Sequence, residues 1–364
     1  MILSLYFVNR FLKAIGQVFF VFFGILMLID MVEQLRRFSG QNISLTDAAT
    51  LALMNVPANL YRILPLIFIL AAITLFLSLA KSSELVIVRA AGRSGLRFLL
   101  APVLAALALG SLVVAVLNPL VAATTKQYEA LYAHQARGAE SVLSISENGL
   151  WLRQGGPEGQ AVIKAVRADL EGTRLYAATF LLYDADGLPL QRIEADEAEL
   201  TPGAWVLHNA KYWDLTAPNP ERGATVQAEA RLASELTLDR IRDSFGDPSA
   251  IPIWALPDYI AKLEQAGFSA RAHRVWLQME MALPLLLAAM VLIAAGFTMR
   301  HARFGKTGQM VLFALSGGFA IFFLRNFAQV LGENGQIPIV LAAWSPPVAA
   351  ILLSLGLLLH LEDG

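Results

Sequence analysis

The chain has 364 residues, of which 56% are hydrophobic and 16% charged, against about 25% charged in an ordinary soluble domain. Its net charge of −1 argues against a nucleic-acid partner, because nucleic-acid-binding domains are usually strongly basic. Cysteine is absent, which excludes disulfides, thiolate chemistry and cysteine-based metal sites. The composition therefore predicts a protein whose solvent is the lipid bilayer.

Six segments are long and apolar enough to cross a membrane, because a spanning helix needs about 20 mainly apolar residues. In chain order they are 11–29, 64–80, 98–117, 281–299, 310–331 and 337–359. The third, fourth and sixth contain no charged residue, so a buried helix of a soluble core does not explain them. A signal peptide is the alternative for the first segment, but that segment runs into Asp30 and Glu33 without a small-residue cleavage site.

The lysines and arginines of the short loops predict the orientation, because they accumulate on the cytoplasmic side. One side has Arg10, Lys13, Lys81, Arg89, Arg93, Arg97, Arg300, Arg303 and Lys306, and the other has Arg36, Arg37 and Arg62. Both termini are therefore expected in the cytoplasm. The polar segment between the third and fourth spans is then expected across the membrane from the cytoplasm.

A short helix along the cytoplasmic surface is predicted at about 83–93. Ser82 or Ser83 can cap its start, and a glycine can end it. Apolar residues at a spacing of three share one face, and charges flank that face, as in a helix that docks into a groove of a partner. The residues of this predicted docking surface are Glu84, Leu85, Val88, Arg89 and Gly92. A helix that merely lies on lipid headgroups explains the pattern equally well.

The insert is assigned to 118–250. From about 141 to 239 alternation replaces the helical period, which predicts an all-β domain, either an antiparallel sandwich or jelly-roll-like. The predicted strands are 141–146, 150–153, 161–167, 175–183, 188–195, 204–215 and 225–238. Asn148-Gly149, Asp186-Gly187 and Pro202-Gly203 are suited to turns. Side chains that can line the interior, by core packing or as a ligand groove, are Trp205, Leu207, Ala210 and Tyr212.

A linker at 251–275 follows the insert. It is expected to contain an amphipathic helix at 258–265 and a second helix that runs through Arg271 into the fourth span. The chain is thus divided into 1–117 with the first three spans, 118–250, 251–275, and 276–364 with the last three.

Arginines near the outer ends of the spans are candidate substrate contacts. Arg325 lies within a span, where a charge usually faces a cavity or a partner. Arginine forks suit anionic headgroups and phosphates. Internal pairing is the alternative, for example Glu33 with Arg37 or Arg325 with Asp30. The candidate contacts are Arg36, Arg37, Arg62 and Arg325.

The sequence contains no recognisable catalytic or metal-binding motif. The five histidines lie far apart, and Gly305-Lys306-Thr307 lacks the upstream glycine of a phosphate-binding loop because Arg300 stands there. No coupling carboxylate is evident within a span, which disfavours a secondary transporter. We therefore expect a chain without a catalytic residue, a metal or a cofactor of its own.

The order of these elements, together with several motifs, resembles the LptF/LptG family of lipopolysaccharide export permeases. The motifs are Ser83-Glu-Leu-Val-Ile-Val-Arg-Ala-Ala-Gly92, Met31-Val-Glu-Gln-Leu35, Asn148-Gly-Leu-Trp151, residues within 253–267, and Gly335-Gln-Ile-Pro338. They cover nearly the whole chain and are more similar to the LptG branch than to the LptF branch.

The resemblance implies one half of the heterodimeric membrane unit of an ABC transporter. An LptB-like ATPase dimer would bind ATP and grip Glu84 to Gly92, with an LptF-like permease and LptC-like and LptA-like jelly-roll proteins as further partners. Lipopolysaccharide would leave the inner membrane for a periplasmic jelly-roll bridge. Basic residues at the outer end of the first helix contact substrate phosphates in such permeases, which implicates Arg36 and Arg37, although the family often has lysines there. An LptF-type subunit and a non-exporting ABC-type mechanotransmission protein are the alternatives.

Overall fold

The chain folds into two compact units. The computed structural model describes residues 2–38, 44–82, 84, 95–136, 143–146, 149–156, 159–169, 173–184, 187–234, 236, 247–265, 269–299 and 307–363. The transmembrane unit comprises Met1–Tyr132, Ser249–Trp254 and Arg271–Gly364. The β unit comprises Ala133–Pro248 and Ala255–Ala270.

Long helices make up the transmembrane unit. They are α1 (Ile2–Arg37), α2 (Leu45–Arg62), α3 (Leu64–Lys81), α4 (Gly95–Leu112), α5 (Asn118–Ala136), α7 (Arg271–Thr298), α8 (Thr307–Glu333) and α9 (Ile339–Asp363). A π-helical turn, Val113–Leu117, joins α4 to α5. Within the described residues, six helices have the length and hydropathy to cross a membrane, with α4 and α5 counted as one. This confirms the predicted polytopic fold with an inserted β domain.

Helix α7 forms the centre of the transmembrane unit. In the most hydrophobic stretch of α7, 78% of the residues are buried, whereas in the most hydrophobic stretch of α1 only 6% are buried. Leu287, Met290 and Val291 are completely buried between α3, α4, α8 and α9. Because buried apolar packing fixes helix positions, α7 is the reference around which the other helices are arranged, and α1 lies at the periphery.

The closest approach between α4 and α7 depends on a glycine. A Cβ atom added at Gly110 would lie 2.7 Å from Cα of Pro284 and 3.2 Å from a methyl group of Leu287. Small residues allow transmembrane helices to pack backbone against backbone. Gly110 therefore sets the spacing of these two helices.

Helix α2 was not predicted. Its start has a capping signal, since the backbone N–H of Asp47 donates to Oγ of Ser44 over 3.1 Å. The helix has modest hydropathy and contains Pro57, so it lacks the apolar run that identifies a span. Helix α2 is therefore not identified by the criterion of a long apolar run.

The third span was predicted to end at about residue 117, whereas the helix extends beyond that residue. The helix continues through the π-helical turn into α5, and the transmembrane unit extends to Tyr132 instead of ending there. Pro119 stands directly after the π-helical turn, near the start of α5. The hydropathy falls after residue 117 although the helix does not end, which explains the early boundary.

The β unit contains one antiparallel sheet. Its strands are β1 (Leu143–Ser146), β2 (Gly149–Gly156), β3 (Gly159–Ala165), β4 (Arg167–Ala168), β5 (Arg174–Tyr183), β6 (Pro189–Thr201), β7 (Ala204–Asp214) and β8 (Thr225–Ala233). They pair in the sequential order β1-β2-β3-β5-β6-β7-β8, with β4 beside β5. The seven predicted strands are confirmed in approximate position, and β4 is an additional two-residue strand. The jelly-roll shape stays a prediction.

Two residues with positive φ angles interrupt the strand alternation. Ala177 in β5 has φ 50° and Asn209 in β7 has φ 52°, and the pairing of these strands with β6 skips a position at each. The register is the same on both sides of each skipped position, so neither strand carries an extra residue relative to β6. The buried positions change from odd to even numbers at this level, as from Leu207 to Ala210 on β7.

The interior of the β unit is a packed core at those positions. Trp205, Leu207 and Ala210 are completely buried, and Tyr212 is half-buried. The rings of Phe180 and Trp205 pack edge to face with centroids 6.1 Å apart. Gly203 has φ 84° in the β6–β7 turn, as its predicted turn role requires. Asn148 and Asp186 of the other predicted turns lie outside the described residues.

The linker has the two predicted helices. Helix α6 (Leu256–Gln265) belongs to the β unit, and α7 begins at Arg271. The side chain of Arg271 donates to the carbonyl oxygens of Gly332 and Ile337, both over 2.6 Å. These bonds tie the start of α7 to the loop between α8 and α9.

Substituting Gly110 by alanine tests the α4–α7 contact. The added methyl group would meet the backbone of Pro284, so we expect the free energy of unfolding to fall by about 1–3 kcal/mol. Gly356→Ala in α9 is the control, because no atom lies within 4 Å of its added Cβ. Thermal unfolding of the detergent-solubilised protein measures both variants, and equal melting temperatures would contradict the close approach.

Candidate functional site

Glu84, the first residue of the predicted docking surface, is bound within the chain by Arg10 of α1. Nη1 of Arg10 donates to Oε1 of Glu84 over 2.7 Å, and Nη2 donates to Oγ of Ser78 over 2.8 Å. Ser82 donates to the same glutamate oxygen over 2.8 Å. These bonds join α1, the end of α3 and the start of the predicted coupling segment. The remaining predicted residues, Leu85, Val88, Arg89 and Gly92, lie outside the described part of the chain.

The surroundings of Glu84 favour its charged form. Partial burial alone would raise the pKa of the carboxyl group, but the hydrogen bonds from Arg10 and Ser82 outweigh it and hold the pKa below its usual value. Glu84 is therefore an anion at neutral pH. Its charge is already compensated by Arg10 within the same chain.

At the opposite end of α1, the two candidate arginines differ. Arg37 forms an ion pair with Glu33 over 2.5 Å, and its guanidinium lies 5.8 Å from the ring centroid of Tyr132. Arg36 is exposed and has no hydrogen-bond or ion-pair partner among the described residues. Arg62 at the end of α2 is likewise exposed. Arg36 is thus the more available cation of the pair.

Polar contacts also hold the outer part of α1 in place. Nδ2 of Asn55 donates to Oδ1 of Asp30 over 2.9 Å, which connects α1 to α2. Nε2 of Gln34 donates to the hydroxyl of Tyr128 over 3.0 Å, which connects α1 to α5. Asp30 is therefore bound by Asn55, and the suggested pairing of Asp30 with Arg325 was wrong.

Arg325 instead belongs to a buried group that we call the polar cluster, formed by Tyr61, Asn118, Glu280 and Arg325. The hydroxyl of Tyr61 and Nδ2 of Asn118 both donate to Oε2 of Glu280, the latter over 3.2 Å. Arg325 lies within electrostatic range of the same carboxyl group but does not form a direct ion pair with it. Glu280 is completely buried, and Arg325 is 9% exposed. The polar cluster thus places a glutamate and an arginine near each other inside the transmembrane unit.

Glu280 was not among the residues predicted to form a functional site. The fourth span was placed from Met281, so Glu280 was counted as part of the flank, and no carboxylate was expected within a span. Helix α7, however, runs without interruption from Arg271, which puts Glu280 well inside the helix. The predicted helix through Arg271 into the span was the signal that could have revealed it.

A shallow groove lies between α1 and α3 and has a volume of about 240 Å³. Its lining residues are Gln17, Val18, Val21, Phe22, Leu70 and Thr74. Its surface is almost entirely apolar, which suits a hydrocarbon chain better than a polar ligand. Within the described residues, no group of histidine and acidic side chains could hold a metal ion.

Comparison with known proteins gives one consistent result. The family model described as lipopolysaccharide export system permease LptF/LptG matches residues 5–360. The LptG permease of Escherichia coli (strain K12) is 26% identical over 364 residues, which cover 99% of this chain and 98% of the relative. The LptG permease of Haemophilus influenzae is 23% identical over 357 residues, covering 97% and 96%. The resemblance found from the sequence motifs is thereby confirmed.

The Arg10–Glu84 contact predicts a pH dependence. Because the pKa of Glu84 is lowered in the folded protein, its contribution to stability is present above the usual pKa and is lost as the pH falls through the lowered value. We expect Glu84→Gln to cost about 0.2–1 kcal/mol at pH 7 and nothing at the acid end. Urea unfolding in detergent at several pH values measures this, and Glu33→Gln is a second ion-pair variant for comparison.

Proposed function

The chain belongs to the LptF/LptG family of lipopolysaccharide export system permeases, and from this premise we propose that it is the LptG-type half of an ABC exporter. With six apolar helices it is a multi-pass inner-membrane transport subunit. ATP hydrolysis would belong to a separate LptB-like ATPase dimer, and an LptF-like permease would form the other half. No cofactor is assigned to this chain.

The observation that carries this proposal is the connection of Glu84 to α1. This helix has 36 residues and is therefore about 54 Å long. Arg10 near its start holds Glu84, and the exposed Arg36 stands near its end. A single rigid element thus links the expected ATPase contact to the expected substrate contact.

In this mechanism, closure of the ATPase dimer moves the segment that begins at Glu84, and Arg10 carries the movement into α1. Helix α1 is suited to move because little of it is buried in its own chain. Two arrangements of the helices must then differ in their affinity for the lipid, since an equilibrium shifts only through differential binding.

The substrate contacts are assigned by charge and hydropathy. Arg36, Arg37 and Arg62 would bind the phosphates of lipopolysaccharide, because arginine forks match phosphate geometry. The apolar groove between α1 and α3 would accept part of an acyl chain. Arg325 remains a candidate substrate contact, but it is buried in the polar cluster.

The topology follows from the distribution of the basic residues. Both termini and the segment at Glu84 would lie in the cytoplasm, and the β unit would lie in the periplasm. There the β unit would join LptC-like and LptA-like jelly-roll partners, since exposed strand edges can pair with strands of another protein. Lipopolysaccharide would pass along this bridge towards the outer membrane.

Charge reversal at Glu84 tests the coupling assignment. We expect Glu84→Arg to reduce co-purification of the ATPase and lipid export by tenfold or so, a coupling of about 1.4 kcal/mol. The double variant Arg10→Glu with Glu84→Arg restores the internal ion pair but not the charge that faces the ATPase. We expect this variant to remain defective. Full recovery would mean that Glu84 acts only within its own chain.

Charge reversal at Arg36 tests the substrate assignment. Since Arg36 has no partner within the described residues, Arg36→Glu should spare the fold and weaken photocrosslinking to lipopolysaccharide about fivefold, the effect of about 1 kcal/mol per basic residue. Lys13→Glu, at the other exposed end of α1, is the matched control. Equal crosslinking in both variants would remove Arg36 from the substrate site. A wild-type protein that crosslinks to no lipid would favour the mechanotransmission alternative.

A further inference from the structure

Three stretches of helix meet at Glu280, and each contains a proline close to the residue that it contributes to the polar cluster. The pairs are Pro57 and Tyr61 in α2, Asn118 and Pro119 at the start of α5, and Glu280 and Pro284 in α7. A proline inside a helix removes one backbone hydrogen bond and is the usual cause of a bend. The polar cluster therefore lies where several helices are weakened.

The junction of α4 and α5 has an unusual connection to the segment Ser249–Trp254, which we call the return segment. In an α-helix the N–H of residue 119 would bind the carbonyl of Ala115, but Pro119 has no N–H. The indole N–H of Trp254 donates to that carbonyl over 3.0 Å. The backbone N–H of Ile253 donates to Oδ1 of Asn118 over 2.9 Å. Two hydrogen bonds thus fasten the return segment to the helix junction.

Glu280 determines which way the amide of Asn118 points. A carboxylate only accepts hydrogen bonds, so the donating Nδ2 of Asn118 must face Glu280. The accepting Oδ1 is then left to face Ile253. An uncharged amide at position 280 could donate as well as accept, and the orientation of Asn118 would no longer be specified.

We propose that Glu280 is a positioning residue of the export reaction, which acts through Asn118 to hold the return segment on the α4–α5 junction. This inference rests on the proposed function. The return segment interrupts the chain of the β unit and belongs to the transmembrane unit. Any change in the bends of α2, α5 or α7 therefore reaches the stretch of chain that leads into α6.

The chemistry of the polar cluster supports a role beyond packing. Removing ionisable side chains such as those of Glu280 and Arg325 from water is costly, so they are a poor means of merely filling the core. Oε1 of Glu280 has no hydrogen-bond partner within the described residues. An arrangement that leaves one carboxylate oxygen unsatisfied is less than maximally stable, as an element that changes its contacts during a transport cycle needs to be.

The first measurement follows the hydrogen exchange of the return segment in the assembled exporter. Hydrogen exchange followed by mass spectrometry on the peptide that contains Ile253 compares the wild-type protein with Glu280→Gln and Trp254→Phe. We expect the exchange of the Ile253 amide to become about tenfold faster in Glu280→Gln. Trp254 is largely exposed, so Trp254→Phe removes the second hydrogen bond with little risk to folding.

The second measurement is the amount of lipopolysaccharide transported per ATP hydrolysed by the same samples in vesicles. We expect this ratio to fall about fivefold or more in both variants. Trp344→Phe is the matched control, because Nε1 of Trp344 donates to Gln278 over 2.9 Å, two residues from Glu280 but outside the polar cluster. It should leave both the ratio and the exchange of Ile253 unchanged.

The outcomes separate this inference from the proposed function. Unchanged exchange of Ile253 in Glu280→Gln would overturn the positioning role, and so would faster exchange with an unchanged transport ratio. An equal loss of transport in Trp344→Phe would reduce the effect to general packing. A wild-type complex that hydrolyses ATP without moving lipopolysaccharide would overturn the proposed function, and with it the role of Glu280 in export. In that case the hydrogen-exchange data would still decide whether Glu280 holds the return segment.

Discussion

The absence of hydrogen-bond partners in hydrocarbon is the constraint on which the transmembrane unit depends. Every backbone group that leaves the helical pattern must find a partner inside the protein. Pro119 creates such a group at Ala115, and Trp254 supplies its donor. The unpaired carbonyl of Ala115 is thus bound by the return segment. This hydrogen bond links the α4–α5 junction to a residue more than a hundred positions later in the sequence.

The same constraint explains the contrast between α7 and α1. Helix α7 is buried by its neighbours and carries the buried Glu280, whereas α1 presents most of its apolar surface to its surroundings. An exposed apolar face costs nothing in lipid, so a movement of α1 would affect little buried surface beyond residues such as Phe7 and Phe11. Among the described residues, its polar side-chain contacts with other helices lie at its two ends, at Arg10 and from Asp30 to Arg37. This difference suits an α7 that stays in place and an α1 that changes its position.

The sequence predicted the elements that produce a strong periodic signal, namely the six spans and the strands of the insert. It did not predict α2, whose capping residue Ser44 was visible but whose hydropathy is modest. It ended the third span too early, because hydropathy falls at Asn118 while the helix continues. Glu280 was missed for a related reason, since its burial depends on contacts with Tyr61 and Asn118 that no local pattern encodes. Arg10 was visible only as a charge, because its partnership with Glu84 joins residues far apart in the chain.

The level shared by Ala177, Asp196 and Asn209 affects how mutations in this region should be interpreted. Strands β5, β6 and β7 keep one register on both sides of this level, where Asn209 donates to Asp196. A deletion of Asn209 alone would therefore not shorten the strand harmlessly. It would displace every later residue of β7 by one position against β6 and β8. Single-residue gaps at Ala177 or Asn209 should accordingly be rarer among functional variants than gaps in the neighbouring turns.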